Sequence, residues 1–265
     1  YESGRMKRVV QEFSGKEMIE YDENGKKVYE GGYRGDSVNG FVREGKGYCF
    51  EGNGSDMKYC VFGGGSVIRV IVEISGSVMT EYDDNGKKKY VGGFKGDQKS
   101  GFVRNGEGKE MDGSGRVVKS GKWVDGEYQE MIVGNKGYND GSVTELKLSG
   151  LARLKRIVIG NECFGKVRVF ELNGLDELES VVIGKECFTY AKTYDDIQNS
   201  KRTDGDYRIM NCPKLKSIQI GYHSFEDYHS FELNNLPSLQ SIDIGYWCFE
   251  YAPLFSLTGL IDGLV

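Results

Sequence analysis

Residues 8–47 of this chain recur 61 positions later: RVVQEFSG at 8–15 returns as RVIVEISG at 69–76, and YDENGKK at 21–27 as YDDNGKK at 82–88. Of the 40 aligned positions, 24 are identical. From about Val143 onward a second, unrelated repeat takes over. A single repeat cannot bury its apolar face alone and becomes stable only when stacked on its neighbours. Two repeat systems therefore predict an elongated array, which offers a surface for holding partners more readily than a cleft for chemistry.

Composition points to short strands. Glycine supplies 39 of 265 residues and proline only 3, so the turns rest on residues that accept positive φ. The 17 tyrosines and 13 phenylalanines favour strands and supply buried area. Glycine falls from 28 in residues 1–140 to 11 in residues 141–265, coincident with the change of repeat. The expectation is a mainly β chain of two domains, 1–140 and 141–265.

The first half divides into strand–turn–strand units. One reads Tyr29-Glu30-Gly31-Gly32-Tyr33-Arg34-Gly35-Asp36, then Asn39-Gly40-Phe41-Val42 and Gly45-Lys46-Gly47-Tyr48; its copy begins at Tyr90 with YVGGFKGD. Aromatics four apart share one face of a strand. Asn24-Gly25, Asn39-Gly40, Asn85-Gly86 and Asp112-Gly113 are strong hairpin signals. The pattern Y-x-G-x-[YF], then N/S-G, then G-x-G resembles the MORN repeat, most clearly at 29–48 and 90–109, with a shortened version at KSGKWVDGEY (119–128). The resemblance implies a row of β-hairpins forming a grooved sheet that joins membranes, cytoskeleton or partner proteins. It also implies that the groove aromatics Tyr29, Tyr33, Tyr90, Phe94 and Trp123 contact a partner. The alternative for the same five residues is that they build the core of a thin sheet.

The second half carries coils of 24 residues: LARLKRIVIGNECFGKVRVFELNG from 151, CPKLKSIQIGYHSFEDYHSFELNN from 212 and LPSLQSIDIGYWCFEYAPLFSLTG from 236. A coil starting at 175 is 13 residues longer. The apolar skeleton L-x-x-L-x-x-I-x-I-G-x-x-x-F resembles the BspA-like class of leucine-rich repeats. Cys163, Cys187, Ser224 and Cys248 stand at its small position. That resemblance implies a solenoid used for recognition, including surface-exposed adhesins. The extra residues of the long coil lie in YAKTYDDIQNSKRTDGD, about residues 190–206, and read either as a binding-face insertion or as a tolerated surface loop. Tyr194, Asp195, Lys201 and Arg202 are its candidate partner contacts.

Other chemistry finds little support. Neither half has the basic excess that phosphate binding needs: 22 Lys plus Arg against 23 Asp plus Glu in residues 1–140, and 13 against 17 thereafter. Nucleic acid is not an expected partner. The clusters Lys26-Lys27 and Lys87-Lys88-Lys89 adjoin acidic runs and read as solvated hairpin tips, with anionic lipid as the alternative partner. The three in-phase cysteines read as an inward ladder of small apolar fillers, and no C-x-x-C spacing suggests zinc. A site from His223, Glu226, Asp227 and His229 can be drawn, but at a coil corner a polar group more often just faces water. No stretch is long and apolar enough to span a membrane, and no signal peptide is visible. The Tyr1 start and the new repeat begun near Val265 read as a piece of a longer protein.

These observations lead to one expectation: a non-enzymatic, mainly β protein, a MORN-like hairpin array followed by a leucine-rich-repeat solenoid. It needs no cofactor or metal and acts as a scaffold for protein partners, with self-association through exposed strands as a further option. A cytoplasmic place, near cytoskeleton or membrane, is the first expectation for its location. An extracellular recognition or adhesion protein, or an adaptor on anionic membrane, is the alternative.

Overall fold

The computed structural model describes residues 10–51, 56–189 and 205–260. Among the described residues there are strands and turns but no helix, as the strand-rich composition predicts. The chain divides into two compact units, Tyr1–Lys119 and Ser120–Val265.

The first unit is an antiparallel meander. β1 (Val10–Ser14), β2 (Glu17–Tyr21), β3 (Lys27–Asp36), β4 (Gly40–Glu51), β5 (Asp56–Gly63), β6 (Ser66–Ser75), β7 (Val78–Tyr82), β8 (Lys88–Asp97) and β9 (Gly101–Met111) each pair with the next in sequence. The turns follow from local chemistry. Asp22 Oδ1 accepts the amides of Asn24 and Lys26, both at 2.9 Å, and Asp83 Oδ1 accepts those of Asn85 and Lys87 at 2.9 and 2.8 Å. Gly25 and Gly86, at φ 78° and 76°, supply the left-handed step each turn requires.

One packing module occurs twice, 61 residues apart. Tyr29 lies flat along its own strand and donates its hydroxyl to the carbonyl of Gly32 at 2.7 Å; Tyr90 does the same to Gly93 at 2.9 Å. Beneath the Tyr29 ring Gly31 and Gly47 face each other across β3 and β4, and beneath Tyr90 the pair is Gly92 and Gly108. A Cβ at Gly47 would sit 2.6 Å from the Tyr29 ring, so the ring occupies the space two side chains would otherwise fill. Above it the Arg43 guanidinium rests 4.6 Å from the ring centre and is held by Glu20 at 2.6 Å; Arg104 stands 4.4 Å over Tyr90 and is held by Glu81 at 2.7 Å. Met18, Tyr29, Cys60 and Phe62 form a small core with Tyr33, Phe41, Cys49 and Val70 packed around it.

The second unit opens with a hairpin, β10 (Val117–Val124) and β11 (Glu127–Val133). It continues as a solenoid of two parallel sheets. One contains β11, β13 (Arg156–Ile159), β15 (Ser180–Ile183), β17 (Ser217–Ile220) and β19 (Ser241–Ile244). The other contains β12 (Glu145–Leu148), β14 (Val169–Asn173), β16 (Asp206–Met210), β18 (Ser230–Leu236) and β20 (Leu254–Leu260). Each coil contributes one strand to each sheet, and like residues stack coil on coil.

Stacking at fixed phase makes ladders. Tyr138, Phe164, Phe188, Phe225 and Phe249 form a continuous column with centres 4.5–5.2 Å apart and planes within 12° of parallel. Phe170, Tyr207, Phe231 and Phe255 form a second. The expected thiol ladder is present with a specific role. Cys163, Cys187 and Cys248 donate their thiols to the carbonyls of Gly134, Gly160 and Gly221 one coil back, at 3.0–3.1 Å, and Ser224 fills the missing rung by donating to Gly184 at 2.9 Å. All six cysteines are free. The parallel ladder includes Glu130–Val133 and places Gly137 in the cysteine phase, so the solenoid starts upstream of the step read at 140/141. Gly137 has no side chain and Tyr138 replaces the usual phenylalanine, which is why this coil escapes the leucine-rich pattern.

Candidate functional site

Three of the five aromatics expected to line a binding groove are core residues. Tyr29, Tyr90 and Trp123 are fully buried, so no partner can reach them; each is occupied by packing described above or, for Trp123, by Tyr128 with ring centres 4.8 Å apart. Tyr33 and Phe94 are half-buried. Tyr33 packs on Phe13 and Phe41, at 5.1 and 5.5 Å, and Phe94 packs on Phe102 at 5.7 Å. The difference arises within each strand: the first aromatic of β3 and of β8 lies beneath an arginine, and the second, four residues on, packs on Phe41 or Phe102 nearer the hairpin end. Tyr194, Asp195, Lys201 and Arg202 lie outside the described residues.

Two exposed aromatics, Tyr246 and Trp247, lie together at one corner of the solenoid. Immediately after I-x-I-G, successive coils carry Asn161-Glu162, Lys185-Glu186, Tyr222-His223 and Tyr246-Trp247. Stacking brings the last pairs together. The Tyr222 and Tyr246 rings are parallel with centres 5.1 Å apart, and His223 packs on Trp247 at 4.5 Å. Tyr246 and Trp247 meet edge to face at 5.1 Å, and Lys185 places its ammonium 5.3 Å from the centre of Tyr222. Tyr246 is 62% exposed and Trp247 56%. Exposed rings in contact, flanked by a cation, can bury apolar area and stack against a partner, which are the traits of an interaction hot spot.

The corner is rigid underneath. His223 Nδ1 lies 3.2 Å from Glu226 Oε2, and Thr189 donates its hydroxyl to the His223 carbonyl at 2.8 Å. Glu226 is buried, and burial pushes its carboxyl above the ordinary range against the opposing pull of His223. Both His223 and Trp247 adopt left-handed backbone, φ 56° and 59°. Such a conformation costs a bulky residue about 1–2 kcal/mol. Every coil places a left-handed residue at this phase, Lys136, Glu162 and Glu186 included, so the geometry belongs to the repeat.

Of the four residues His223, Glu226, Asp227 and His229, from which a site could be drawn but which were read as a water-facing corner, His223 meets Glu226. Among the described residues no group of three or more His, Cys, Asp or Glu side chains could hold a metal ion. Sequence reading passed over Tyr222, Tyr246 and Trp247. The available signal was the departure of two coils from the polar pairs that the earlier coils carry after I-x-I-G.

No family model, curated protein or solved structure matches this chain.

Proposed function

We propose that this protein is a non-catalytic scaffold that holds a protein partner on the solenoid corner formed by Tyr222, His223, Tyr246 and Trp247. In this reading the first unit is a MORN-like hairpin array and the second a leucine-rich-repeat solenoid of the BspA-like kind. The observation that carries the proposal is the contiguous exposure of Tyr246 and Trp247 on a stacked, hydrogen-bonded base. Its Tyr, Trp and His rings lose little rotamer freedom on binding, which lowers the entropic cost of a contact there.

The alternating charges along the coils set register within the chain. Glu177 pairs with Lys214 at 2.6 Å and Glu179 with Lys216 at 2.8 Å, one coil to the next. Those side chains are engaged, whereas among the described residues nothing covers Tyr246 and Trp247. The test is an affinity capture from lysate of the source cells, with the parent chain beside Tyr246→Ser/Trp247→Ser and Tyr33→Ala/Phe94→Ala pairs. A stoichiometric partner lost with the first pair and kept with the second is the expected result. A partner set indifferent to the corner pair overturns the assignment.

A further inference from the structure

The duplication in the first unit supplies an internal comparison. Across the strands, Glu20, Tyr29, Cys49 and Lys58 stand opposite one another in β2, β3, β4 and β5. In the copy 61 residues on, Glu81 and Tyr90 keep their places in β7 and β8, and Glu110 stands in β9 where the first copy has Cys49. The arginines repeat atom for atom. Arg43 directs Nε and Nη2 at Glu20, at 2.9 and 2.6 Å, and Nη1 at Cys49 Sγ, at 3.9 Å. Arg104 directs Nε and Nη2 at Glu81, at 3.0 and 2.7 Å, and Nη1 at Glu110 Oε2, at 2.5 Å. Cys49 therefore occupies the seat of a carboxylate.

A thiol fills that seat poorly. Charge-assisted N–H···O bonds close at about 2.7–2.9 Å, so Nη1 stops short of a proper acceptor by about the reach of one sulfur–oxygen bond. Lys58, which faces Cys49, is taken by Glu51 and Glu73 at 2.8 and 3.6 Å, whereas its counterpart Lys119 reaches Glu110 at 2.9 Å. Arg43 is thus the cation that acts on the sulfur. Cys60 stands opposite Gly47 and hydrogen-bonds to Cys49, and with the Arg43 charge it outweighs burial and lowers the pKa of the half-buried thiol. The thiolate so favoured is the form that oxidants attack. The other cysteines lack these surroundings: Cys60, Cys163, Cys187 and Cys212 are buried, and Cys248 donates its thiol to the Gly221 carbonyl at 3.1 Å.

We infer that Cys49 is an oxidation site for hydrogen peroxide, and that its sulfinate completes the ion pair that Glu110 makes in the second copy. The thiolate sulfur attacks one peroxide oxygen; a sulfur–oxygen bond forms, the O–O bond breaks, and the other oxygen leaves as water with both hydrogens, giving the sulfenate. A second hydrogen peroxide is reduced to water in the same way and gives the sulfinate. Sulfur loses two electrons at each step, and each pair reduces one peroxide. Cys60 does not divert the sulfenate into a disulfide, because it is diagonal to Cys49 across β4 and β5. Diagonal Cα atoms lie about 7–8 Å apart, beyond what a disulfide bridges without backbone movement. The sulfinate carries one negative charge over two oxygens, as a carboxylate does. With an oxygen at Nη1, Arg43 is held from both sides over Tyr29, as Arg104 is over Tyr90. Oxidation brings the first copy to the state in which the second is built.

The test treats the purified, reduced full chain with hydrogen peroxide and follows each cysteine peptide by mass spectrometry. Cys49 is expected to gain two oxygens at least about tenfold faster than any other cysteine. Hydrogen exchange of amides in 27–51 should then slow about twofold to fivefold, the fold-change of a half-buried ion pair, while 88–111 stays unchanged. Cys49→Asp, the isostere of the sulfinate, should show the slower exchange without peroxide. Cys49→Ser under the same peroxide should show no slowing, which separates the effect from methionine oxidation. Oxidation spread evenly over the cysteines, a Cys49–Cys60 disulfide as the product, or a sulfinate that leaves exchange in 27–51 unchanged overturns the inference. None of these outcomes bears on the scaffold reading, which is decided by partner capture at the solenoid corner.

Discussion

Replacing Gly47 with alanine should destabilise the first unit, although the same change in an ordinary strand stabilises it by about 0.5–1 kcal/mol. The backbone at Gly47 is not left-handed, so alanine meets no torsional objection. Its Cβ would lie 2.6 Å from Cε2 and from the hydroxyl oxygen of Tyr29, and 2.8 Å from Cζ. The ring must therefore lift. Overpacking of this kind costs about 1–3 kcal/mol, and losing the hydroxyl's bond to the Gly32 carbonyl adds about 1 kcal/mol. Lifting the ring also disturbs the Arg43 contact, worth about 0.5–1 kcal/mol. Net of the gain that alanine brings to a strand, the expected total is about 2–4 kcal/mol. In a Tyr29→Ala background the obstacle is gone, and Gly47→Ala should become neutral or mildly stabilising. Both tryptophans, Trp123 and Trp247, fall in the second unit, so their fluorescence does not report this change. Hydrogen exchange of amides in 27–51, read in all four combinations of the two substitutions, does. Gly108 beneath Tyr90 gives a second, internal measurement of the same coupling. If Gly47→Ala proves as stable as the parent, the ring is not what excludes a side chain at that position, and the packing argument fails.

Further expectations follow from other parts of the molecule. Phe225→Ala removes the ring between Phe188 and Phe249 and should cost about 3–5 kcal/mol, seen as a lower urea midpoint in tryptophan fluorescence. Burial raises the Glu110 carboxyl, but hydrogen bonds from Lys119 and Arg104 outweigh it and hold the group below its ordinary value. Its contribution to stability is then complete above the unfolded carboxylate range and is lost as pH falls through the folded value. Glu110→Gln should therefore flatten the acid limb of a stability–pH curve without altering its slope above neutrality. The Cys49 thiol is brought down to about 7, first by a hydrogen bond from Cys60 and further by Arg43, against the effect of burial. It should be alkylated by iodoacetamide faster than Cys187 or Cys212, with Arg43→Met slowing the reaction; equal rates by peptide mass spectrometry would contradict this.

Much of the fold is legible because repetition averages out local ambiguity. Three I-x-I-G stretches and the Val181-Val182-Ile183-Gly184 stretch set four strands of one sheet, and Asp-x-Asn-Gly sets the hairpin tips at 22–25 and 83–86. The in-phase cysteines could be placed inside because their phase is shared by Ser224, a residue of the same size. The start of the solenoid was harder to see, since Gly137 and Tyr138 depart from the pattern while keeping its geometry. The site was the least legible part. Tyr29 and Tyr33 look alike in sequence, and only the cross-strand glycine pair and Arg43 decide that the first is covered while the second is half-open. The corner aromatics contribute nothing to the repeat's apolar skeleton, so a search tuned to periodicity discards them as noise. A useful signal was the change of chemistry at a constant phase, from Asn161 and Lys185 to Tyr222 and Tyr246.

Coil equivalence makes distance along the solenoid a counted quantity. Parallel neighbours sit about 4.8 Å apart, so the gain or loss of one 24-residue coil would shift everything beyond it by that step and leave all other contacts in register. A feature fixed to one coil, such as Tyr246 and Trp247, could thus be respaced from any other by whole steps without redesigning either. Such a body works as a ruler with a molecular graduation, and changing where it grips needs only a change in the number of divisions.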